Sequence, residues 1–65
     1  MNGEIGEAAG KVWTYLNDTG EVPVPTLLKQ VGLPRDMAHR AIGWLAREGK
    51  LQFDNAKGVE TLRLR

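Results

Sequence analysis

The sequence predicts a small α+β fold: three helices with a short strand among them, then a C-terminal β-hairpin. Three observations carry that expectation. Apolar residues recur with a helical period as far as Gly49 and with a period of two after it. Glycines and prolines stand between the periodic segments and punctuate them. The chain has 65 residues, room for one domain over residues 1–65 and little more than the minimum for a self-supporting core.

The first helix is expected over Ile5 to Asn17. Ile5, Ala8, Ala9, Val12 and Leu16 share one face at about 100° per residue. Trp13 and Tyr15 flank that stripe on opposite sides. Asp18-Thr19-Gly20 stops the helix, with Gly20 free to take a left-handed conformation. Glu21-Val22-Pro23-Val24 follows as an extended stretch, because each proline disfavours the helical region for the residue before it. Pro23 cannot donate to a sheet ladder, so any strand here is short and at an edge.

The second helix is expected from about Pro25 to Val31, with Leu27, Leu28 and Val31 inward. Pro25 suits a helix start, where its missing N–H leaves no bond unmade. Gly32-Leu33-Pro34 is a tight connection of the length that sets two helices at a steep angle. The third helix opens near Pro34 or Arg35 and runs to about Glu48, with Ala38, Ala41, Ile42 and Leu45 inside and Gly49 ending it. Leu51 and Phe53 then alternate with Gln52 and Asp54. Asn55 to Gly58 reads as a turn, and Leu62 and Leu64 share a face of the return strand. The hairpin is a wing to which residues 21 to 24 can add a third strand. This order of elements is the winged helix-turn-helix arrangement.

Composition narrows the function classes. Apolar residues make up 42% and charged residues 26%, values that argue against disorder. There is no cysteine and a single histidine, so neither a disulfide framework nor a thiolate or multi-histidine metal site is expected. No cofactor or small-molecule ligand is evident. No apolar run approaches membrane-spanning length. The start, MNGEIGEAAG, lacks the basic and apolar regions of an export signal, which points to a cytoplasmic protein. No phosphate-binding GxxxxGK or GxGxxG motif and no Ser/His/Asp set is present, so an enzyme is not expected. The net charge of +1 does not by itself announce a nucleic-acid partner.

Two blocks are similar to a family of short, uncharacterised bacterial winged helix-turn-helix proteins. One is Ile5-Gly6 with Ala9-Gly10-Lys11-Val12-Trp13 and Leu16. The other is Ala41-Ile42-Gly43-Trp44-Leu45-Ala46-Arg47-Glu48 with Lys50-Leu51. The second is the more specific, and the matching spacing covers nearly the whole chain. The resemblance implies the winged-helix fold and binding of double-stranded DNA. Some relatives are dimeric, which implies a homodimer.

The candidate site is the outward face of the third helix. Asp36, Arg40, Gly43 and Arg47 lie within about 40° of the direction opposite Ala38, with His39 at the margin. Such a face suits entry into a major groove. Arg40 is the candidate base reader, since arginine pairs bidentately with guanine. Arg47, Arg35 and Lys29 are candidates for phosphate contacts, with His39 as a further groove contact and Lys57 at the wing tip. Arg63 and Arg65 add charge along the wing. Against this stand Asp36, a negative charge on the groove face, and the option that Arg47 pairs with a surface acid. Gly43 is either a simply tolerated helical glycine or a point of close approach. Trp13, Tyr15, Met37 and Trp44 either pack on the core or form an association surface, the latter suiting a protein-interaction module. Glu4, Glu7, Asp18 and Glu21 read as solubilising charges.

Overall fold

The computed structural model describes residues 2–65. Its order is α1 (Asn2–Thr19), β1 (Val22–Pro23), α2 (Val24–Gln30), α3 (Arg35–Arg47), β2 (Leu51–Ala56) and β3 (Val59–Leu64). The fold is a winged helix, three helices packed on a small antiparallel sheet, as the sequence predicts.

α1 extends beyond the expected Ile5–Asn17 at both ends. Its last turn is held by the Thr19 hydroxyl, which donates to the Tyr15 carbonyl at 2.8 Å. Gly20 then takes φ +78° and donates its N–H to the Leu16 carbonyl at 2.8 Å, closing the helix as expected. The inward stripe is Ala8, Ala9, Val12 and Leu16, all buried. Ile5 is only half-buried and stands outside the core cluster.

α2 starts one residue earlier than expected, with Pro23 as its N-cap and Pro25 inside the first turn. Val31 is the C-cap rather than the last helical residue, its N–H bonding the Leu27 carbonyl. Gly32, at φ +76°, turns the chain where few residues other than glycine sit without strain. Leu33 folds back onto the core. α3 buries Ala38, Ala41, Ile42 and Leu45. Its end is a Schellman closure: Gly49 N–H bonds the Ala46 carbonyl and Lys50 N–H the Leu45 carbonyl, both at 3.0 Å.

The sheet order is β1-β3-β2, so β3 is central and the two-residue β1 lies at an edge, where Pro23 is tolerated. Leu51 pairs with Leu64, and Phe53 with Leu62. Leu62 also pairs with Val22 across the other ladder. This apolar face packs on the helices, and Leu62 is fully buried. The wing turn is tighter than the four residues expected from sequence. Asn55 and Ala56 continue β2, and only Lys57 and Gly58 connect the strands. Both have positive φ, 53° and 83°. That pattern matches a primed turn, whose twist fits the flanking strands. Asn55 serves the turn through its Oδ1, which accepts the Gly58 N–H at 3.0 Å.

Glu21 corrects another expectation. It is not only a solubilising charge: its Oε2 accepts the Thr61 hydroxyl at 2.6 Å. Thr61 is buried, so this charge-assisted bond supplies its hydroxyl with a partner and pins the chain before β1 to the central strand.

Leu62→Ala should destabilise the fold by about 2–5 kcal/mol, the usual cost of emptying a buried leucine site. Val59→Ala, at a position 43% exposed on the same strand, should shift stability by no more than about 0.5 kcal/mol. Urea denaturation followed by circular dichroism checks both.

Candidate nucleic-acid interface

The inward stripe of α3 is seated against α1 and the sheet, which turns Asp36, Arg40, Gly43 and Arg47 to solvent. All four are exposed, as are Arg35 and His39 on the flank. Among the described residues the one ion pair is Lys50 Nζ to Glu48 Oε1, at 3.5 Å. The acid adjacent to Arg47 is thus engaged by another cation, and Arg47 does not make the surface pair considered from sequence. Arg35, Arg40 and Arg47 present guanidinium groups that no carboxylate of the described residues holds within 4.0 Å. Guanidinium groups on an exposed helix face with no acid partner keep their capacity for anionic ligands.

Asp36 lies in the first turn of α3, where the helix macrodipole favours an acid. Its Oδ1 accepts the Met37 N–H at 3.0 Å. The carboxylate therefore has a local role at the helix start, where the N-cap Pro34 offers no side-chain bond.

Gly43 lies midway along the outward face. A Cβ built there would meet nothing within 4 Å, so no contact with the described residues requires the glycine. It nevertheless costs the helix roughly 1 kcal/mol relative to alanine. Arg40 precedes it by three residues and Arg47 follows it by four, the spacings that place side chains next to one another on a helix.

Lys29 is exposed in the last turn of α2, just before the connection to α3. Lys57 stands at the wing tip in a left-handed conformation, which disfavours a residue with a Cβ by about 1 kcal/mol. Sequence reasoning singled out its charge but missed its backbone. The signal was available, since a two-residue turn ending in glycine needs positive φ at both positions. Arg63 is also exposed on β3, next to Thr61 in the alternation and opposite Gln52.

The aromatic and methionine residues divide. Trp13 is exposed, whereas Tyr15, Met37 and Trp44 are half-buried and packed against the core. Trp13 and Trp44 line one open groove between α1 and α3, floored by Gly6, Ala9 and Gly10. Met37 lines a smaller one with Leu33, Pro34 and Ala8. No group of three or more histidine or acidic residues is placed to hold a metal ion among the described residues. No helix of the described residues is long and apolar enough to cross a membrane.

Comparison with known proteins agrees with this architecture. The uncharacterized protein MJ1608 of Methanocaldococcus jannaschii is 41% identical over 78% of this chain and 76% of its own length. The solution NMR structure of protein BT2368 from Bacteroides thetaiotaomicron superposes with a TM-score of 0.85 at 34% identity, covering 98% of this chain and 79% of that one. The Zα domain of Carassius auratus PKZ, solved in complex with Z-DNA, superposes with a TM-score of 0.77 at 21% identity. It covers 94% of this chain and 97% of its own, a likeness of fold. Residues 1–64 match the family described as Winged helix-turn-helix domain (DUF2582), and the chain belongs to that family.

Proposed function

We propose that this chain is a small double-stranded DNA-binding protein of the cytoplasm, acting in transcription and as a homodimer. α3 enters the major groove, and the wing touches the backbone through Lys57. The observation that carries this reading is the run of exposed arginines on α3 that no acid of the described residues neutralises. Arg40 takes the base-edge role, because its fork matches the two acceptors of guanine. Arg47, Arg35 and Lys29 take phosphates, and His39 lies at the groove margin.

The wing adds independent support. Lys57 occupies a turn position where asparagine, aspartate or glycine is cheaper. A cation held there against conformational preference is consistent with selection for charge at the tip. The Zα neighbour, described with Z-DNA, gives a reason to include both helical forms of DNA in any test. Arg35, Arg40, Arg47, Lys29 and Lys57 make about five contacts, so one copy would bind weakly and lose affinity steeply with salt. A homodimer doubles that set.

The Trp13–Trp44 groove favours a second reading, a protein-interaction module without DNA affinity. Its motivation is the exposure of Trp13, 41%, beside the half-buried Trp44. On that reading Trp13→Ala disrupts association, measured by sedimentation or pull-down, while duplex DNA gives no salt-dependent binding.

The direct test is a titration of B-form and Z-form duplexes at two salt concentrations. Wild-type affinity should fall steeply with salt. Removing one phosphate contact, as in Arg47→Ala, should lower the log–log salt slope by about 1. Arg40→Ala should cost about 1–3 kcal/mol and relax base preference. Unchanged affinity in the Arg40→Ala/Arg47→Ala double variant sinks the groove-reading assignment. Lys57→Asn should leave the wing at least as stable by thermal melting while weakening DNA binding at low salt.

A further inference from the structure

Gly43 is the feature of α3 that the fold leaves unexplained. Its position faces open space, and it breaks an otherwise good run of helix formers in the middle of the exposed face. Gly3, Gly6 and Gly10 on α1 are open in the same way, but their face carries no comparable charge. Gly43 is framed by Arg40 on the preceding turn, Arg47 on the following one and His39 four residues before it. Arg40 and Arg47 are roughly 10 Å apart along the helix axis.

The flanks of α3 are also unequal. Met37 and Trp44 line the grooves against α1. Gly43 and Ala46 lie toward the opposite flank, together with Arg35 and His39, at about 100° per residue. Ala46 is exposed. That flank carries two residues with little or no side chain, Gly43 and Ala46, beside Arg35 and His39. At Gly43 and Ala46 no long side chain covers the helix backbone, unlike at Met37 and Trp44.

We propose that Gly43 is the point where α3 meets a sugar–phosphate strand of the duplex. The missing side chain lets the helix settle against one groove wall, so that Arg40 reaches a base edge and Arg47 a phosphate. The proposal rests on the DNA-binding reading above and names the contact that sets its depth. Gly43 is thus a positioning residue: it has no group to bond the ligand and acts through the reach of its neighbours.

The test exploits opposite signs. Alanine or leucine at an exposed helical position raises helix propensity, so Gly43→Ala and Gly43→Leu should both melt at higher temperature than wild type. Binding of a mixed-sequence duplex of about two helical turns should weaken in the same variants. The loss should grow with side-chain size, reaching about tenfold for Gly43→Leu, the scale of one overpacked contact. The salt slope should stay at the wild-type value, because no cation is removed. A merely structural glycine would move the melting temperature and leave binding unchanged. If wild type binds duplex and both variants bind as tightly, the proposal fails while the DNA-binding reading stands. If Gly43→Ala melts lower than wild type, the position has an intramolecular role and the proposal fails. If wild type binds neither helical form at low salt, the DNA-binding reading fails and takes this one with it.

Discussion

The packing of α1 on α3 is the constraint from which the rest of the structure follows. Ala8 and Ala9 on one helix and Ala41 on the other are buried in one core cluster, and Ala41 has no exposed surface. Small side chains at a crossing let two helix backbones come close. Val12, Leu16, Ile42 and Leu45 complete the buried layer. Once α3 is seated this way, its charged residues have nowhere to go but outward. The direction of the candidate recognition face is a by-product of core formation, which is why buried alanines matter to a site they never touch.

The sheet completes the enclosure at low material cost. A chain this short buries a modest fraction of its surface, so each core position carries a large share of a small total. β3 serves both ladders, and its Leu62 meets Val22 on one side and Phe53 on the other. Thr61 points the other way and is tied to Glu21. Adjacent residues of a single strand thus anchor the sheet on both its faces. Lys57 is exposed and adopts a backbone conformation that disfavours it.

The same division between scaffold and surface governs charge. The single ion pair of the described residues is exposed, and pairs of that kind contribute little to stability. Asp36 accepts the Met37 N–H in the first turn of α3 and pairs with no arginine of the described residues. The arginines of α3 have no acid partner among the described residues, even though the net charge is only +1. Net charge is a sum over the whole surface, whereas a ligand meets the local arrangement. A nearly neutral chain can still present a basic helix.

Most of the fold was legible in the sequence because its signals are local. The change from helical to twofold periodicity after Gly49, the glycines at chain reversals and the apolar stripes of α1 and α3 all depend on near neighbours. The candidate site was legible for the same reason, since the outward face of a helix follows from its inward one. What the sequence left open depends on contacts between distant residues. Glu21 and Thr61 are 40 positions apart, and no local pattern marks their bond. Trp13 and Trp44 both stood beside apolar stripes, yet only the packing of α1 on α3 exposes the first and half-buries the second. Whether Arg47 finds an acid, and whether anything in the chain approaches Gly43, are likewise settled by what lies across space. Amino-acid order by itself determined which residues belong to which face; tertiary structure decided what each face meets, because a side chain's partners are set by how whole elements pack.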